Sequence, residues 1–171
     1  MSFVSQLTDF RAAKDDFFRS EHSPLPDELR DRFQGLAYFE QDPALVSSVP
    51  VLATEPGDVT VGTSDGHVRS YRRAGQIEIE VGDRTIRLLL LQAPGDDGFF
   101  IPFRDGTSGS STYGAGRYLD VEPAEDGTVE IDFNLAYNPY CAYSDEYSCP
   151  LPPHENWLTV PIEAGERAYE G

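Results

Sequence analysis

Between residues 59 and 90 the apolar side chains fall on alternate positions: Val59 and Val61, then Val68, then Ile77, Ile79 and Val81, then Ile86, Leu88 and Leu90. A period of two sends successive side chains to opposite faces of an extended chain, so these runs are half-buried β-strands. Short breaks separate them at Ser64-Asp65-Gly66, Ala74-Gly75 and Gly82-Asp83. Connections of that length join antiparallel neighbours. Further strands are expected in FFIPF, GRYLDVE, TVEIDFN and WLTVPIE, with Glu125-Asp126-Gly127 turning the middle pair. Many short strands with few helices predict an α+β, mainly β fold, built on a curved antiparallel sheet or a small barrel.

The period is different at the amino-terminal end. Phe3, Leu7, Phe10 and Phe17 recur at helical spacing, and Ser2 or Ser5 can cap the first turn. Residues 3–20 are therefore expected to form an amphipathic helix with those four side chains turned inward. A second, short helix is expected near Pro26, where Leu29 and Phe33 lie one turn apart. The expected organisation is one domain over residues 1–171. A helical segment, 3–34, packs on an antiparallel core, 50–163, which carries two loops at 104–117 and 137–156. A chain of 171 residues, 39% hydrophobic, is long enough for one such core.

Charge narrows the partners. The formal net charge is -17, and of the 13 basic residues only Lys14 is a lysine. Nucleic-acid binding needs clustered cations, so this class is excluded, and an anionic membrane is disfavoured for the same reason. The opening MSFVSQLTDFRAAKDDFF has no apolar core of signal-peptide length, and no segment approaches the roughly 18 apolar residues of a membrane span. A cytoplasmic location is expected. An acidic shell nearly free of lysine suits a salt-rich interior, where the Debye length shrinks to roughly 3 Å at 1 M salt.

The stretch DFNLAYNPYCAYSDEYSCPLPPHENW, residues 132–157, gathers both cysteines and the only tryptophan. An ordered loop of such costly residues is a place to look for function. Cys141 and Cys149 lack the C-x-x-C spacing of redox or zinc motifs, which leaves three readings: a disulfide, a pair of inert thiols, or a metal site completed by His154 and an outside carboxylate. A catalytic cysteine is a remoter fourth. His154 follows two prolines in a loop, and no serine nucleophile motif accompanies it, so an exposed histidine is the simpler reading. The glycine-rich RDGTSGSSTYGAGR could form an anion-holding backbone nest beside Arg104 and Arg117, or could simply be a long hairpin connection that needs glycine.

The blocks KDDFF, SPLP, FQGLAYF, FRDGTSGSSTYGAGRYLD, DFNLAYNPYCAY and CPLPPHENWLTVPIEAGE resemble the domain-of-unknown-function family 1684. The resemblance runs over almost the whole chain. It marks Glu155 and Asn156, as PPxEN, ahead of His154, and assigns no chemistry.

Together these features point to one pocket made by the 104–117 loop and the 132–156 segment. In a binding reading, Lys14 from the helix, Arg104, Thr107, Tyr113 and Arg117 from the first loop, and Asn134, Tyr137, Asn138 and Asn156 from the second, hold a polar or anionic small molecule. In an enzyme reading, Asp105, Asp132 or Glu155 acts as acid or base on a polar substrate. A third reading is an interaction protein with no pocket. No motif names a cofactor. Strand parity places Arg117 with Leu119 and Val121, and Asp105 with Ile101 and Phe103, so these two charges are expected to pair on the inner face and floor the pocket. Lys14, between Phe10 and Phe17, is expected to turn inward to a carboxylate, to a carbonyl or along apolar surface to water.

Overall fold

The computed structural model describes residues 2–170. Helix α1, Phe3–Arg19, starts at Ser2, whose Oγ accepts the Ser5 amide at 3.2 Å. A single turn, α2, Asp27–Arg30, follows Pro26. The strands are β1 (Val46–Pro50), β2 (Asp58–Gly62), β3 (Val68–Val81), β4 (Arg84–Gln92), β5 (Phe99–Phe103), β6 (Arg117–Val121) and β7 (Thr128–Asp132). They form a five-stranded antiparallel sheet in the order β2-β3-β4-β5-β6 and a two-stranded ribbon of β1 with β7. The fold is thus mainly β with an amino-terminal helix. The sheet alternative holds, and among the described residues no closed barrel forms.

Alternation decides what packs where. Ile77, Ile79, Ile86, Leu88, Leu90 and Ile101 cover the inner face of the large sheet and meet Val129, Ile131 and Phe133 from the ribbon side. The residues between them face out: Leu89 and Leu91 cluster with Val59, Val61 and Tyr71. β4 is therefore buried on both faces over Leu88–Leu91, which is what four consecutive leucines signal in a strand.

Three expectations need correction. Ala74-Gly75 is no turn, because β3 runs straight through it for 14 residues. The register shifts between Arg73 and Gly75, and Gly75 sits at φ 147°. That is a bulge, and a Cβ there would lie 2.6 Å from Val51 Cγ1, so glycine is required by both backbone and space. WLTVPIE is no strand either; it runs as an extended strap along the core, joined by a single parallel bridge between Trp157 and Arg104, one residue past the end of β5. Finally, β1 is a strand that alternation does not reveal, since Val46 and Val49 lie three apart and are only half-buried. Among the described residues, no helix is long and apolar enough to cross a membrane.

Candidate functional site

Outward-facing rings make a floor. Tyr71 of β3, Phe100 of β5 and Tyr118 of β6 stand in a row on the outer face, and Tyr137 extends it because its backbone pairs with that of Tyr118 at 2.8 and 3.0 Å. Successive ring centroids are 5.7, 4.7 and 5.6 Å apart. Helix α1 forms one wall and residues 139–150 the other, enclosing an open groove of about 850 Å³ lined by nine aromatic side chains.

The helix is turned differently from expectation. Its buried residues are Leu7 and Phe18, with Arg11 and Lys14 between them at i+4 and i+7 spacing. Phe18 fixes this rotation by packing on Phe33 at 5.7 Å and edge-on to Tyr143 at 5.0 Å. Phe10 and Phe17 are consequently not core residues: they are 48% and 38% exposed and border the groove.

Lys14 does turn inward, and its partner is Glu166. The ammonium pairs with Glu166 Oε2 and lies 5.0 Å from the Tyr137 ring centroid. Glu166 is 3% exposed, and its other oxygen accepts from the Asn138 amide at 3.0 Å and the Tyr143 hydroxyl at 3.1 Å. Burial, with Glu166 alongside, pushes the Tyr143 phenol well above its usual range, so it stays a donor. Gly165, at φ 80°, lets the chain pass so close to Ala136 that a Cβ would meet the Ala136 carbonyl at 2.7 Å, and this approach seats Glu166.

The other expected pocket residues are dispersed. Arg117 and Asp105 do meet, both side chains 1% exposed, with one N–O contact at 3.4 Å. Arg117 is held chiefly by backbone: it donates to the carbonyls of Ile162 at 2.9 Å, Glu166 at 3.2 Å and Ala164. Burial lowers its pKa, while Asp105 and Glu166 oppose that. Asp105 also accepts from Thr107 Oγ1 at 2.8 Å and the Ile162 amide at 2.6 Å. The pair therefore anchors the strap to the sheet and does not line the groove. Nor does the glycine-rich loop make an open nest. Its amides at Gly106, Ser108, Gly109, Ser110, Thr112 and Gly116 all donate to nearby carbonyls. Arg104 stacks over Trp157 at 4.6 Å, on whose other neighbour, His154, the indole also rests at 4.1 Å.

Asn156 is wholly buried and works as a pin. Its Oδ1 accepts the Leu89 amide at 2.7 Å, and its Nδ2 donates to the Leu89 and Pro102 carbonyls at 3.0 and 2.9 Å. β4 and β5 pair in register only at Leu91 and Phe100, so the amide bridges where the ladder opens. Glu155 points to the surface in a two-pronged pair with Arg73 at 3.0 and 2.5 Å, which holds its carboxyl below the ordinary range. Asp132 caps a short 3-10 turn, accepting from the Asn134 amide and side chain at 2.9 Å, and Asn134 in turn holds Asp42. Tyr113 reaches the Cys141 sulfur at 3.6 Å. Both cysteines are free; burial pushes the Cys149 thiol up to about 11. Among the described residues, no group of three or more His, Cys, Asp or Glu is placed to hold a metal ion.

The model of a family described as "Protein of unknown function (DUF1684)" matches residues 31–167. The chain belongs to the DUF1684 family. The whole arrangement also resembles the solution NMR structure of an uncharacterized protein from Haloarcula marismortui, with 40% identity, a TM-score of 0.73, and coverage of 96% of this chain and 94% of that one. No match is found among curated proteins. The span matched to DUF1684 includes Glu166, Arg117 and Asn156 but begins after α1, so Phe10, Lys14 and Phe17 lie outside it.

Within this DUF1684 chain the sequence reading foresaw only Lys14 and Tyr137 among the groove residues and missed Phe10, Phe17, Tyr71 and Phe100. A signal existed for Phe100, which has the opposite parity to Ile101 and Phe103, so a large ring on the outer face required a second cover; Tyr71 shares the parity of Ile77 and is turned outward only by the bulge at Gly75. Glu166 was missed as well, although a lone lysine turned inward demands a carboxylate.

Proposed function

We propose that this DUF1684 protein binds a small molecule with an apolar body in the groove between α1, the outer face of the large sheet and residues 139–150. One observation carries the reading: Phe10 and Phe17 remain substantially exposed at the edge of a ring-lined groove of about 850 Å³. Burying a phenylalanine side chain contributes roughly 1.5–3 kcal/mol, so two rings left at one opening forgo stabilisation that an occupant would supply. The volume falls in the range of small-ligand pockets, and the lining is apolar with few polar groups, as such pockets are.

The test uses Nile red, a neutral dye, and Ala13→Trp. Ala13 is an exposed helix residue lining the groove, so tryptophan there fills it without touching the core. Wild type should bind the dye with a rise in fluorescence, and the variant should lose that binding at an unchanged melting temperature. Equal binding by both proteins would remove the groove as the site.

We further propose that the acidic, lysine-poor surface is an adaptation to a salt-rich cytoplasm. A net charge of -17 with 12 arginines and one lysine supports it. The melting temperature should climb steeply with KCl; a flat response from low to molar salt would contradict this.

A further inference from the structure

Given the proposed groove, on which this rests, we infer that its occupant is electrically neutral and carries a carbonyl acceptor that hydrogen-bonds the Lys14 ammonium. An ammonium has three N–H donors. Glu166 takes one, and among the described residues no second acceptor lies within hydrogen-bonding distance of Nζ. The Lys14 side chain is 19% exposed and lines the groove beside the Tyr137 ring, so its remaining donors are open to the space an occupant would fill. Glu166 cannot swing away to make room, because the Asn138 amide and the Tyr143 hydroxyl hold its other oxygen from behind. The result is a fixed donor at one end of an apolar surface.

Charge selects between acceptors. Glu166 already neutralises Lys14. A carboxylate ligand would put two anions on one ammonium, in a groove also lined by Asp96 and by Asp120, which accepts the Tyr137 hydroxyl. Arg69, the remaining cation of the groove, is bound to the Ser148 carbonyl at 2.5 Å. Lys14 and Arg69 together stand against Asp96, Asp120 and Glu166, so the groove is already net negative, as is the chain at -17, and an added anion would raise that surplus. A neutral carbonyl gains the charge-assisted bond without that repulsion. A ketone, ester or amide attached to a planar or branched apolar body meets both requirements.

Three probes of one shape separate the possibilities: 2-acetylnaphthalene, 2-naphthoate and 2-isopropylnaphthalene, each displacing Nile red at constant ionic strength. The ketone should bind roughly tenfold tighter than the hydrocarbon, the ratio expected for one hydrogen bond to a charged donor, and tighter than the carboxylate. Lys14→Met combined with Glu166→Gln removes the ammonium while keeping the site neutral and leaving an acceptor for Asn138 and Tyr143. In that double variant the ketone's advantage should fall below about twofold. A second readout needs no variant: the carbonyl carbon of 13C-labelled ketone should shift downfield on binding wild type, as a hydrogen-bonded carbonyl does. Naphthoate binding tighter than the ketone, an advantage that survives the double variant, or an unmoved carbonyl resonance would each overturn the inference. Failure of the groove itself looks different. If Ala13→Trp leaves all three probes bound, the site is elsewhere, whereas hydrocarbon and ketone bound equally and blocked equally by that variant leave the groove standing and remove only the carbonyl.

Discussion

The two faces of the five-stranded sheet treat polar and apolar side chains in opposite ways. On the inner face the polar groups are enclosed: Arg117 lies among three backbone carbonyls and Asp105 with only its Nε unpaired, and Asn156 completes the gap between β4 and β5. The outer face carries exposed charges such as the Arg87–Glu78 pair beside a row of rings, Tyr71, Phe100 and Tyr118, and the rings left open to solvent, Phe10 and Phe17, come from the helix that borders them. The contrast teaches that chemical-looking residues can be builders, while core-looking residues can form the site. A buried arginine in an apolar layer reads as catalytic until its partners are counted. A phenylalanine on an amphipathic helix reads as core until the helix rotation is known.

Substitutions should sort by face, and the largest effect belongs inside. Arg117→Met leaves the Ile162, Ala164 and Glu166 carbonyls and Asp105 without their cation and should lower unfolding free energy by about 3–5 kcal/mol in urea titrations. A loss under about 1 kcal/mol would mean water reaches the strap, and the contrast between faces would fail. Asn156→Ala follows. It orphans the Leu89 amide and two carbonyls and should cost about 2–4 kcal/mol, with faster hydrogen exchange at Leu89 as the local sign.

Smaller effects sharpen the comparison. Glu155→Gln breaks an exposed pair, so at neutral pH it should cost less than about 1 kcal/mol. Its sign with pH is fixed: Arg73 depresses the folded-state pKa of Glu155 below the ordinary 4.5, so the pair's contribution is present above that value and is lost as pH falls through the folded value. The melting-temperature gap between wild type and variant should accordingly close in acid. Phe10→Ser and Phe17→Ser should change stability least, within about 1 kcal/mol, yet each should weaken Nile red binding. Strong destabilisation by either would place these rings in the core and erase the distinction.

Much of the inner face was legible because strand parity is strict. Two residues per repeat put Arg117 with Leu119 and Asp105 with Phe103, and the pairing followed. Parity failed where the backbone departs from the repeat: the bulge at Gly75 reads in sequence as a turn, since glycine serves both. Asn156 was marked by the family resemblance, but its role depends on a splayed strand pair that no local pattern encodes. The groove was the hardest to read. Its walls come from residues 10–18 and 139–150, brought together by Phe18 docking on Tyr143, and helical periodicity alone could not say which of two apolar stripes would face inward.

The order of synthesis adds a consequence of the Arg117 cage. The carbonyls that enclose the guanidinium lie 45, 47 and 49 positions further along the chain. As the polypeptide emerges vectorially, all seven strands are in place while this cation has only Asp105 beside it. Its layer must stay hydrated until the strap arrives, so the ribosome-bound intermediate should be wet at its centre and lock only as residues 162–166 leave the exit tunnel.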